Sequence, residues 1–168
     1  MTVAHMGIGV FIIGIILTSL YSIEKDVRLA PGESFSMAGY RFQLEGVSEV
    51  EGPNYVANQG KMTVTKDGKL IGLMEPQKRI YRVQRMPMTE AAIDAGLTRD
   101  LFVALGEPID AQGAWSVRLY VKPYIRWIWL GALIMACGGL LAATDRRYRL
   151  ARRSATALPA GSATAGAA

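Results

Sequence analysis

Hydrophobic and polar positions divide the chain into an apolar run, a long mixed segment, a second apolar run and a polar end. The first run, Val3 to Leu20, is apolar apart from His5, Thr18 and Ser19. Coiled as an α-helix it rises about 27 Å, close to the hydrocarbon thickness of a bilayer. The second run, "IRWIWLGALIMACGGLLAAT" from Ile125 to Thr144, rises about 30 Å by the same measure. The pattern predicts transmembrane helices over 3–21 and 124–144. A cleavable signal would want a basic start and a small-x-small cleavage site. No Lys or Arg precedes Lys25 and "TSLYSIEK" fits that site poorly, so a retained helix is expected.

The mixed segment, 22–123, alternates on the two-residue period of strands and is long enough for a small domain of roughly a hundred residues. In "MTVTKDGKLIGLM" two extended runs flank Asp67-Gly68, a favoured hairpin turn because both central residues take φ > 0. "YRFQLEGVSEV" alternates Phe42, Leu44 and Val47 imperfectly around Gly46, as a bulged strand does. "RIYRVQR", "DLFVALG" and "AWSVRLYV" are further strand-like runs. "TEAAIDAG" reads as a turn or two of helix, started by Thr89 and stopped by Gly96. The expected fold class is a membrane protein in which two transmembrane α-helices flank a small, mainly antiparallel β domain.

The flanks orient the spans. Tyr120, Tyr124, Trp127 and Trp129 lie at the start of the second span, with Lys122 and Arg126 able to reach the headgroups. "TDRRYRLARR" follows its end, and basic residues after a span mark the cytoplasmic side. Both termini are then cytoplasmic, and residues 22–123 face outward, which in a bacterium is the periplasm. Residues 145–168 form a basic tail of low complexity, expected to be disordered.

Of the 168 residues, 51% are hydrophobic, and the mean hydropathy is +0.19. The formal charge of +5 does not make a nucleic-acid-binding surface. Arg146, Arg147, Arg149, Arg152 and Arg153 against Asp145 carry +4 of it in one short patch, leaving +1 for the rest. Cys137 is the sole cysteine, so the chain has no internal disulfide, no cysteine metal site and no C-x-x-C-H haem attachment. There is no phosphate-binding glycine loop.

His5 is the sole histidine and lies in a span. It can be read as an interhelical hydrogen-bonding residue, or as an axial ligand to a haem or part of a proton path. Gly9, one turn on, would leave room for a flat macrocycle beside the imidazole. Gly7 and Gly14 share another face and suit close helix packing. Lys78, Arg79, Arg82 and Arg85 could meet propionates or an acidic partner, or form a solvated strand surface, since alternation splits them between two faces. Glu45, Glu49 and Glu51 lie in a turn-rich stretch, and with His5 as the sole histidine no histidine-activated nucleophile is available to them, which argues against a hydrolase site.

The segments "AHMGIGVFIIGI", "GPNY", "EPQKRIYRVQRMPMTEAAID", "RDLFVALGEP" and "VKPYIRWIWLGALIMACGGLLAATDRRYR" closely resemble the C-terminal end of the CcmF/NrfE family, the large membrane haem lyases of bacterial cytochrome c maturation. The resemblance runs from about Ala4 to Arg149. It implies that His5, in "AHMG", is one axial ligand of a structural b-type haem. It also implies a complete assembly that takes haem from a periplasmic haem chaperone and joins its vinyl groups to cysteines of apocytochrome c, with a thioreduction or chaperone partner. The lipid membrane is the remaining implied partner.

The departures define what is absent. The family's tryptophan-rich haem-handling segment has no counterpart around Trp115, Trp127 or Trp129. Its other transmembrane histidine and its two periplasmic histidines are absent. The expectation is therefore a split subunit, truncated frame or fragment, not catalytically complete, that shares its haem b with an N-terminal part. The rival expectation is a membrane-tethered β assembly module in which His5 has no haem role.

Overall fold

The computed structural model describes residues 2–83 and 85–144, so the basic tail predicted over 145–168 lies outside the described residues. Helix α1 (Thr2–Tyr21) leads into ten strands, and helix α2 (Ile125–Thr144) follows them. The strands are β1 (Ile23–Leu29), β2 (Ser34–Met37), β3 (Tyr40–Glu51), β4 (Tyr55–Lys66), β5 (Lys69–Met74), β6 (Gln77–Tyr81), β7 (Pro87–Glu90), β8 (Ala92–Ala95), β9 (Arg99–Pro108) and β10 (Trp115–Pro123). All described pairings are antiparallel. One sheet runs β1-β10-β9-β8 and the other β2-β3-β4-β6-β7, with β5 paired to β4.

The two sheets face each other across a core set by alternation. Phe42, Leu44, Met62 and Val64 from one sheet meet Leu101, Val103, Leu105, Val117 and Leu119 from the other, each at most 1% exposed. Burying side chains of this size contributes about 1.5–3 kcal/mol apiece. The long β3–β4 ladder carries a register shift between Leu44 and Gly46, the bulge expected there, and Val47 still packs against the core beyond it.

Asp67 and Gly68 join β4 to β5 with φ of 50° and 74°, and Lys66 pairs with Lys69 across the turn. Open space surrounds the Gly68 Cα, so a side chain there meets backbone strain and no clash. Gly68→Val should lower the stability of the sandwich by about 1–2 kcal/mol, the cost of a left-handed β-branched residue. A chemical-denaturation midpoint equal to that of the parent chain would refute this.

Two expectations are corrected. "TEAAIDAG" is not helical: Thr89 pairs with Lys78 in β7, and Ala92 to Ala95 pair with Val103 to Asp100 in β8. Alanine and glutamate favour helix, but two open sheet edges supply backbone partners that outweigh local propensity. Gly96 stops no helix and instead closes the tight β8–β9 turn, its amide donating to the Arg99 carbonyl at 2.9 Å. "RIYRVQR" continues as strand only to Tyr81. The Arg82 amide turns to the Asn54 carbonyl, and Arg85, with φ of 50°, donates to the Tyr81 carbonyl.

The helices pack side by side through glycines. A Cβ on Gly7 would lie 2.6 Å from the Met135 amide nitrogen, and one on Gly14 would lie 2.8 Å from that of Ile128. Gly131 and Gly138 reciprocate on α2, where a Cβ would come within 2.5 Å of the Phe11 and Ala4 nitrogens. Each pair is seven residues apart, two helical turns, so both glycines stay on one face. Close backbone approach at small residues is what drives association where the hydrophobic effect is absent.

Candidate functional site

His5 sits in the first turns of α1, at the end far from the sandwich. Thr18, thirteen residues on and about 20 Å along the helix, donates its hydroxyl to the Pro123 carbonyl at 2.9 Å and so marks where the sandwich begins. At about 100° per residue, His5 points roughly 180° away from Gly14 and 200° from Gly7. The imidazole is therefore on the face opposite α2, and it is exposed. Gly9 shares that exposed face, and a Cβ on it would find nothing within 4 Å. Ile12 and Ile16 continue the stripe, at 47% and 48% exposure. The result is an imidazole above a gap and two branched apolar side chains, on a side of the helix pair that the other described residues leave exposed.

That arrangement passes a chemical test for haem. The ligand atom is an imidazole nitrogen, the neighbouring turn lacks a side chain where a planar ring must approach, and the surroundings are apolar. The described residues contain no cluster of three or more His, Cys, Asp or Glu able to hold a metal ion.

The basic cluster is not part of this face. Lys78 pairs with Glu107 across the sandwich, Arg79 with Glu90 at 3.2 Å, and Arg82 with Glu51 at 3.8 Å. Arg79 also stacks over the Tyr55 ring, 4.5 Å from its centroid. Arg85 is exposed in the turn after β6. Three of the four charges are thus matched within the domain, at the end away from the helices. Alternation does separate Lys78 from Arg79, as the strand reading required.

A junction absent from the sequence reading ties the sandwich to the spans. Asp100 is the buried charged residue of the core, 6% exposed. Its carboxylate accepts the Gly96 amide at 3.0 Å and the Arg126 Nε at 3.3 Å. Next to it Arg99 pairs with Asp94, donates to the Tyr40 hydroxyl at 3.1 Å and lies over the Tyr40 ring. Tyr124, with φ of 55°, converts β10 to α2 in one step, its amide donating to the Thr98 carbonyl at 3.0 Å. Trp127 packs edge-on against Tyr124, with its indole N–H enclosed and unpaired among the described residues, whereas Trp129 is 70% exposed. No composition or spacing signal marks Asp100, because its partner Arg126 is 26 residues away.

At the opposite end of the sandwich, Asp110 accepts the Ala114 and Gln112 amides and pairs with Arg28 at 2.7 Å. The Ala114 amide, then the Arg28 guanidinium, hold its carboxyl below the ordinary carboxylate range.

Residues 20–123, which cover the whole sandwich, match the sequence model of the family described as the CcmF C-terminal beta-sandwich. The chain belongs to this family. It is 54% identical over 154 residues to the cytochrome c-type biogenesis protein CcmF of Pseudomonas fluorescens, covering 92% of this chain and 23% of that protein. With CcmF of Escherichia coli (strain K12) the figures are 50% over 149 residues, 89% and 23%. With NrfE of Haemophilus influenzae, another cytochrome c-type biogenesis protein, identity is 36% over 149 residues, again at 89% and 23% coverage. The fold is also that of a solved structure named cytochrome c heme lyase CcmF, with a TM-score of 0.69 at 19% identity, over 82% of this chain and 23% of that one. The chain thus spans about a quarter of the length of these CcmF and NrfE relatives. The two helices are each long and apolar enough to cross a membrane, which fits membership of this membrane-protein family.

Proposed function

We propose that this chain supplies the last two membrane spans and the periplasmic sandwich of a cytochrome c haem lyase, and that His5 is one axial ligand of a b-type haem in it. The observation that carries the reading is the placement of His5 and Gly9 together on the uncovered face of α1. The second axial ligand and the opposite wall of the haem site come from the N-terminal part of the assembly. The haem, when bound, supplies a one-electron carrier whose potential depends on its axial ligands, burial and hydrogen bonding.

The residues of this chain hold, orient and enclose. His5 offers the nitrogen, Gly9 leaves the ring its clearance, Ile12 and Ile16 keep water from the helix side, and the glycine-packed α2 fixes the roll of α1. The sandwich sits on the periplasmic side, with both termini cytoplasmic, where it faces the haem chaperone, apocytochrome c and the latter's thioreduction partner. The test is the absorbance spectrum of membranes carrying this chain together with the N-terminal part of the assembly. Reduced-minus-oxidised bands of a bis-histidine b-type haem are expected, and they should be absent when either part is expressed alone. A co-purified complex without haem would favour the tethered assembly module.

A further inference from the structure

The β8–β9 turn ends in an exposed leucine at a place where solvent is not the natural neighbour. Leu97 is 71% exposed. Both residues flanking it are held by groups near the start of α2. The Gly96 amide is bonded by Asp100, whose carboxylate also takes Arg126, and the Thr98 carbonyl takes the Tyr124 amide. The turn is also tight, since a Cβ on Gly96 would lie 2.7 Å from the Arg99 carbonyl oxygen. Leu97 is therefore tethered at the level of residues 124–126. Exposed Trp129 is about one helical turn farther into the span.

Cations stand at the same level. Lys122 holds its ammonium 5.2 Å from the Tyr120 ring centroid and 5.7 Å from that of Phe102. Arg126 engages Asp100 through Nε alone, and its side chain is 51% exposed. An apolar tip on a turn bonded to the start of α2, with Arg126 on the carboxylate that holds the turn and Lys122 opposite Asp100 on the adjoining strand, matches the layered chemistry of the bilayer interface.

We infer that this rim is a third membrane contact, in which Leu97 enters the headgroup–acyl boundary of a phospholipid bilayer and Lys122 faces the headgroup phosphates. The contact fixes the tilt of the sandwich over the membrane, and it does not depend on the haem reading. The occupant is lipid because the tethered turn is continuous with the start of α2.

The test uses the whole chain in phospholipid nanodiscs, with Cys137 replaced by serine. Nitroxide labels are placed at Leu97→Cys and, as a control, at Asn54→Cys. Asn54 lies in the β3–β4 turn, at the far end of a strand about 40 Å long. The Leu97 label should be several-fold more accessible to oxygen than to a nickel chelate, and the Asn54 label the reverse. Melting curves matching the unlabelled chain show that each label reports on the folded state. Nickel access at 97 equal to that at 54 overturns the proposal. Shielding from both reagents overturns it too, because it reports cover by protein. Lys122→Gln should reduce the oxygen-to-nickel ratio at 97, and an unchanged ratio removes the cation from the contact.

Discussion

Replacing His5 with alanine, in the complex of this chain with the N-terminal part of the assembly, should remove most of the b-type haem proposed to bind there. On the proposed ligation the substitution takes away one coordinate bond and leaves a void beside Gly9, which has no side chain to fill it. Because His5 lies on the face opposite the glycine contacts, the helix pair itself should survive, and the complex should still co-purify. That separates loss of a ligand from loss of the fold. His5→Gly with added imidazole should regain haem, since the free ring fits the vacated space. His5→Met is the more discriminating variant: a thioether still binds iron but raises its potential, so some haem should remain with an upward-shifted midpoint. Wild-type haem content, spectrum and midpoint in all three variants would remove His5 from the ligand set and leave the tethered module as the better reading.

Gly131→Val should separate the two helices, at a cost of about 3 kcal/mol, the upper part of the range for overpacking. The added Cβ would lie 2.5 Å from the Phe11 nitrogen and 2.7 Å from its Cα. Those are backbone atoms and cannot rotate away, so α1 itself must move. Gly139→Val is the matched control, because a Cβ there meets nothing within 4 Å. The measurement is thermal unfolding of the purified chain in nanodiscs, followed by tryptophan fluorescence. Trp127 reports well, since its backbone lies within 3.0 Å of where a Gly14 Cβ would be. Equal midpoints for the two variants would contradict the glycine-packed interface. In the assembled complex Gly131→Val should also weaken haem binding, because the roll of α1 aims His5.

What could be read in the chain alone was whatever local period and chemistry control. Two predominantly apolar runs specify helices in a bilayer, since no other single segment satisfies its backbone there. Alternation around Phe42, Leu44, Val117 and Leu119 specifies which strand faces turn inward, and Asp67-Gly68 specifies its own turn through φ > 0. A lone membrane histidine with a glycine one turn on marks a candidate ligand without any structure.

Tertiary structure decided everything that depends on distant partners. The segment from Thr89 to Gly96 is strand because β6 and β9 offer it open edges, a fact no local propensity contains. Lys78, Arg79 and Arg82 form no free basic surface because Glu107, Glu90 and Glu51 lie across from them. Asp100 becomes the latch between sandwich and spans only when Gly96 and Arg126 converge on it. The direction in which His5 points is likewise settled by α2: four glycines across the interface let two backbones touch, and that contact turns the imidazole to the opposite, uncovered side.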